Sequence, residues 1–425
     1  MSRHIKTPTI SYNAWSVSVF LMLFWGFHYT ILEILHITPV MILCIELFAV
    51  IVVVLMTAKL ALKNITPMIA WIIFFLLTLW NNYYIAENAL SRPVAMFLVI
   101  VLAYCLQFSN AWYRALRQCI TIFALEHFIL SWFFFLAQGF YSNVIIPLFP
   151  PDTRVTLIQN RAQNILMGFT DHYSISGIFF AFGCIAAFIY WLQDKKSIGK
   201  IIFFVLMMAS LIMTQKRGPL VFALCALVVV YFVFEGMSFR SWIAFFGGTV
   251  VLVGGYFIAS AFYPALGTVF QRFTEAADLT TGRDKLYQIA LELFDKAPFY
   301  GVGFGQYRAY SLNYYSKEYG AHNIYLQLMA ELGIPGVSFF VILLLCTLVF
   351  TVWLACRIRE QKDTEQQFAM LFSIGCQVYF ITYGLTGNPI YDPQCYLPYF
   401  VSIAVPFSVF VHSRGIIKET QLRYI

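Results

Sequence analysis

Charge is what this sequence has least of. Only 11% of its 425 residues are Asp, Glu, Lys or Arg, against 61% hydrophobic and 19% aromatic. A soluble domain carries about 25% charged residues, so water cannot solvate such a surface, whereas lipid can. The shortage excludes a soluble globular enzyme. It predicts an all-α polytopic membrane protein, with residues 1–425 forming a single transmembrane domain. Cysteine pairing is also missing. The nine cysteines stand mostly singly in apolar runs (Cys44, Cys105, Cys184, Cys225, Cys346), and no C-x-x-C occurs. Neither a disulfide framework nor a zinc site is expected, and the thiols read as small apolar core groups. Internal repeats and low-complexity segments are absent as well.

What is there is hydrophobic length. Apolar runs near the ~20-residue spanning length fall at 14–35, 38–58, 65–81, 93–109, 118–138, 174–192, 200–215, 218–235, 242–262, 336–356, 367–385 and 396–412. Residues 1–12 are polar, and the first run has no small-residue cleavage site, so it reads as a permanent span rather than a signal peptide. One set of connections is basic: Arg3 and Lys6; Lys59 and Lys63; Arg114 and Arg117; Lys195, Lys196 and Lys200; Arg240; Arg357, Arg359 and Lys362; Arg414, Lys418 and Arg423. Short basic loops stay in the cytoplasm, which predicts that both termini are cytoplasmic. The net charge of +7 therefore reports topology first, and no nucleic acid is expected as a partner.

Three outer segments break that bias: Arg154 with Arg161, Lys216 with Arg217, and the long loop at 263–335. Long loops translocate regardless of charge, so the loop's cations alone decide nothing. Lys216-Arg217 sits between two spans with almost no loop, close to hydrocarbon, where ionised groups are expensive and usually functional. Residues 141–171 form a second outer loop, which Pro147, Pro150 and Pro151 are expected to keep extended.

Within the long loop, Leu286, Ile289, Ala290 and Leu293 fall on one face of a helix that Thr280, Thr281 or Gly282 can cap and Pro298 follows. Such a helix lies on the membrane or on the bundle. Arg283 is then a cation near the positive end of a helix dipole, a conflict that a bound anion would remove; the plain alternative is a solvated arginine. The run Gly301-Val302-Gly303-Phe304-Gly305 lacks the strand and the spacing of a nucleotide cradle. A turn that allows close backbone packing fits it better. His322-Asn323 opens the next periodic stretch. A histidine is the natural general base near neutral pH, although an interfacial hydrogen-bonded role is open to it too. Glu331 reads as a structural partner, and Glu126-His127 as a structural pair within a span, though such pairs also mark transport paths.

Three blocks resemble the bacterial O-antigen ligase and O-antigen polymerase superfamily. They are Thr214-Gln215-Lys216-Arg217-Gly218; Gly282-Arg283 with Pro298-Phe299-Tyr300-Gly301-Val302-Gly303-Phe304-Gly305; and the stretch from His322-Asn323-Ile324-Tyr325-Leu326-Gln327 to Gly333. Two positions depart from the family pattern: Tyr287, where Trp is common, and Lys216-Arg217-Gly218, where Ser-Arg is common. The resemblance implies about 12 transmembrane helices in a GT-C-like arrangement, with 263–335 as an extracytoplasmic catalytic loop containing amphipathic helices. It implies that Arg217 and Arg283 bind a pyrophosphate and that His322 acts at the acceptor hydroxyl. Lys216, Arg161, Arg154, Asn323 and Tyr287 are the accompanying substrate-binding candidates.

The chemistry suits those residue types. Guanidinium forks neutralise a pyrophosphate leaving group, and no acidic D-x-D-type cluster for a metal clamp stands in the outer loops. The implied activity is metal-independent, inverting transfer of a glycan from undecaprenyl pyrophosphate to a sugar hydroxyl, without a cofactor. The acceptor is another lipid-linked repeat in an O-antigen or capsule polymerase, and lipid A-core or another acceptor in a ligase. A lipid-linked oligosaccharide flippase or other transporter is the reading from another class. The expected site is a bacterial inner membrane with catalysis facing the periplasm or exterior. Expected partners are the lipid-linked donor, the glycan acceptor and membrane lipids, with a chain-length regulator and a flippase as further candidates.

Overall fold

A backbone in lipid must satisfy its own N–H and C=O groups, and helices do so within one segment. The computed structural model describes residues 10–37, 66–85, 91–262, 283–315, 318–359 and 363–412, and all regular structure among them is helical. The helices are α1 (Ile10–Phe27), α2 (Tyr29–Ile34), α3 (Ile69–Ile85), α4 (Ser91–Leu106), α5 (Tyr113–Leu136), α6 (Pro151–Ala162), α7 (Tyr173–Gln193) and α8 (Ile198–Met213). They continue as α9 (Arg217–Glu235), α10 (Phe239–Phe262), α11 (Asp284–Lys296), α12 (Tyr307–Ser311), α13 (Ile324–Arg357), α14 (Thr364–Tyr383) and α15 (Pro393–His412).

Among the described residues, α5, α7, α9, α10, α13 and α15 are long and apolar enough to cross a membrane, and α1, α3, α4 and α8 contain shorter apolar helices. The protein is a polytopic, all-helical membrane protein. Each expected apolar run coincides with a helix except 38–58, which lies outside the described residues. Also outside them are Arg3, Lys6, Lys59, Lys63, Lys317, Lys362, Arg414, Lys418, Arg423 and the expected helix cap at Thr280, Thr281 and Gly282.

Helix α7 is the axis of the bundle, buried from Ser176 to Ile189 and packed on α5, α8, α9 and α14. Small residues let neighbours approach it: a Cβ at Gly177 would come within 3.0 Å of Pro219 on α9. That contact sets the N-terminal ends of α7 and α9 side by side. Helix α10 instead turns outward, with Val250 71% and Val251 73% exposed, as lipid-facing residues are.

The two ends of the bundle differ. At one end Arg117 pairs with Glu365 (2.9 Å), Lys195 with Glu235 (2.6 Å) and Lys200 with Asp194 (3.0 Å). The described residues 283–315 lie at the other end. There α11 buries Leu286, Ile289, Ala290 and Leu293, as its periodicity predicts, against Tyr307, Ala321 and Ala330. The amphipathic helix thus rests on the bundle through the first turns of α13. Gly333 (φ 67°, ψ −174°) then breaks α13 into two helices, at the Gly-Ile-Pro-Gly stretch where the sequence predicts an interruption.

One expectation fails. Residues 141–171 are not extended: helical turns fill 141–148 and α6 begins at Pro151. Phe149 (ψ 156°) and Pro150 (ψ 150°) are extended, and Pro151 takes the first helical position. There its missing N–H leaves no bond unmade and its fixed φ favours the helix.

Candidate active site

The Gly-rich turn is anchored before the site is built. Val302 N–H donates to Ala330 O (2.9 Å) and Gly303 N–H to Glu331 O (3.0 Å). Asn81 on α3 donates to Tyr300 O (2.9 Å) and accepts from Phe304 N–H (2.8 Å), while Asn82 donates to Phe304 O (2.6 Å). Glu331, fully buried, accepts from Gly305 N–H (2.9 Å), Tyr307 N–H (3.1 Å), Gln327 Nε2 (3.0 Å) and the Tyr391 hydroxyl. A buried carboxylate is tolerable only with such partners. It is a structural partner, as its position in the sequence suggests.

Beside this anchor opens a cavity of about 1370 Å³, larger than the 300–1,000 Å³ or so of a pocket for a drug-sized ligand. Lys216, Arg217, Arg283, Arg308, His172 and His322 all line it, together with Glu33, Asp171 and Asp392. The lining reaches the N-terminal ends of five helices: α7 at His172, α9 at Lys216 and Arg217, α11 at Arg283, α13 just after His322, and α15 at Pro393. The positive ends of helix dipoles therefore converge on the same space as the cations, and cations at such ends repel. An anion in the cavity relieves both.

Each expected residue has a definite place. Arg283 is the N-cap of α11, one position ahead of the expected first turn, and its Nη1 donates to Thr386 O (3.1 Å) in the α14–α15 connection. Lys216 is the N-cap of α9, with Nζ 4.8 Å from the Tyr173 ring centre. Arg217 opens α9. His322 has φ 52°, a conformation uncommon outside glycine and asparagine. It is held there because Ala321 N–H donates to Gln327 Oε1 (3.0 Å). With its amide turned to suit its neighbours, Asn388 accepts from His322 N–H (3.2 Å). Among the described residues the His322 imidazole has no hydrogen-bond partner. Burial, with the charges of Arg283, Lys216 and Arg308, pushes it down to about 4, so it is neutral at pH 7 with a lone pair to offer.

The other candidates are not brought into the cavity. Arg154 donates to Phe149 O (2.6 Å) and Pro147 O (2.7 Å), and Arg161 to Ser142 and Gln138 Oε1 (3.2 Å). Both brace the 138–162 segment. Asn323 caps α13, its Oδ1 accepting from Tyr325 N–H and Leu326 N–H (each 3.1 Å), and Tyr287 is half-buried on α11 away from the cavity lining. Glu126 hydrogen-bonds His28 (3.0 Å), and His127 is buried against Phe179 and Phe180.

Two further lining residues carry no signal in the sequence. Arg308 was only one charge among many in the loop, yet its guanidinium lines the cavity and its buried Nε has no partner among the described residues. His172 lies before an ordinary apolar run, with no motif to mark it. Among the described residues no three His, Cys, Asp or Glu side chains converge as metal ligands would.

No curated protein matches the chain. Residues 202–341 match the O-antigen ligase family, a stretch that contains Lys216, Arg217, Arg283, Arg308 and His322. That match supports the resemblance of this membrane protein to the O-antigen ligase and polymerase superfamily.

Proposed function

We propose that the protein transfers a glycan from undecaprenyl pyrophosphate to a sugar hydroxyl within this cavity, most directly as a repeat-unit polymerase. One observation carries the reading: four cations, five helix N-termini and a neutral histidine share one large cavity. Arg217, Arg283, Arg308 and Lys216 hold the pyrophosphate, and His322 takes the proton of the acceptor hydroxyl. The acceptor oxygen attacks the anomeric carbon as the bond from that carbon to phosphate oxygen breaks. The electron pair leaves with undecaprenyl pyrophosphate, whose charge the guanidinium groups stabilise. A single displacement inverts the anomeric centre. The cations supply the neutralisation that a metal ion otherwise gives, so transfer needs none.

A ligase differs only in its acceptor, and the match to the O-antigen ligase family favours it as the second reading. The twelve-span GT-C-like arrangement, and 263–335 as an extracytoplasmic catalytic loop, belong to the same proposal. So does placement in a bacterial inner membrane with cytoplasmic termini and the cavity facing outward. In its support, Arg114, Arg117, Lys195, Lys196, Arg240, Arg357 and Arg359 sit at the helix ends remote from the cavity, as positive-inside topology requires.

Purified protein incubated with a lipid-linked repeat unit alone, with and without EDTA, tests this. A length ladder insensitive to EDTA is expected. Product only after a separate acceptor is added identifies a ligase, and translocation without new bonds refutes glycan transfer.

A further inference from the structure

We propose that His172 contacts the donor substrate, presenting a fixed Nε2–H to the pyrophosphate oxygens; this rests on the glycan-transfer reading above. His172 is extended (φ −147°, ψ 135°) and is the N-cap of α7, with its Nδ1 accepting from Ser174 N–H at 3.1 Å. A backbone N–H can only donate, so Nδ1 carries no proton and the neutral ring carries it on Nε2. The cap therefore fixes the tautomer.

The ring's orientation is fixed as well. It stacks on Tyr173 with centroids 4.4 Å apart and planes at 26°, and Lys216 Nζ lies 4.8 Å from the centre of that same tyrosine ring. Behind it, Thr170 Oγ1 donates to Met167 O (2.7 Å) and to His172 O (3.3 Å). Leu166 N–H donates to Met213 O (3.0 Å), so the segment is tied to α8. His172 lines the cavity, and its Nε2 is hydrogen-bonded to none of the described residues and is not sealed away from solvent. Burial and the charges of Lys216 and His322 push the ring down to about 4, so at neutral pH it offers one N–H and no charge.

The two cavity histidines thus divide the work. No hydrogen bond holds the His322 ring in one tautomer, so it is able to accept a proton; His172 has its only lone pair committed to the cap and can only donate. A donor beside Lys216 suits a phosphate oxygen.

Two substitutions separate the cap from the donor. In His172→Asn the amide oxygen replaces Nδ1 as cap acceptor but nothing replaces Nε2–H. In His172→Gln the amide nitrogen reaches the Nε2 position and restores a donor while weakening the cap. Steady-state transfer by the purified full-length protein, with undecaprenyl-pyrophosphate-linked glycan as the varied substrate, is read beside thermal unfolding. We expect His172→Asn to keep the thermal midpoint and lose about 10- to 100-fold in kcat/KM, the worth of a hydrogen bond to a charged group. His172→Gln should recover several-fold of that loss despite a lower midpoint. Activity of His172→Asn equal to or above that of His172→Gln overturns the proposal while leaving glycan transfer intact. Wild-type activity in Arg217→Ala and Arg283→Ala run alongside would instead refute the underlying reading.

Discussion

His322 and Gln215 are the residues on which the site turns, and both have φ 52°. Non-glycine residues in this region cost about 1–3 kcal/mol and persist where the surroundings over-determine them. Gln215 is held by its own Nε2 donating to Gln163 O (3.1 Å), and it aims the next two residues, Lys216 and Arg217, at the cavity. The pH dependence follows from the burial of His322 and the charges around it. In the free protein burial, together with the charges of Arg283, Lys216 and Arg308, holds its imidazole down near 4, so the acid limb of kcat/KM should fall well below pH 6. Bound pyrophosphate offsets those cations, which raises the imidazole again. The acid limb of kcat should therefore lie at higher pH than that of kcat/KM, since the two report the occupied and free forms. Identical limbs near pH 6.5 would remove His322 as the base under this field. Arg217, Arg283 and His322 were legible because their neighbours form recognisable blocks. Arg308 and His172 were not, because their places come from chain segments meeting in space. Arg154 and Arg161 looked functional by charge alone, yet a loop needs such donors for its own carbonyl and side-chain oxygens.

At the scale of elements, the Gly-rich turn is the joint between loop and bundle. Gly301 has φ 67°, and a Cβ there would come within 2.1 Å of the Glu331 backbone. Gly301→Ala should destabilise the protein by roughly 2–5 kcal/mol, combining the left-handed backbone cost with overpacking. A lower thermal midpoint checks this, and an unchanged midpoint would show that the turn packs less closely than described. Periodicity revealed the buried face of α11, and Gly333-Ile334-Pro335-Gly336 revealed the break in α13. The partners of that face were hidden, since an amphipathic stripe suits a lipid surface and a protein surface equally. The start of α6 differs from the expected extended loop because proline's effect depends on position: it breaks a helix interior but favours the first turn.

At the scale of the whole molecule, scarcity of charge gives the membrane class directly, and apolar length gives the helices. The sequence bias in basic residues corresponds to a physical polarity. Ion-paired cations such as Arg117 and Lys195 occupy one end, and the cavity cations gather at the other. The central claim is that these latter cations hold a pyrophosphate at its point of cleavage. Its most direct test is glycan transfer from the lipid-linked donor by purified Arg217→Ala and Arg283→Ala, each with a wild-type thermal midpoint. The account predicts loss of about 100-fold or more in each, the worth of a charge-stabilising contact in the transition state. Wild-type glycan products from both would contradict it.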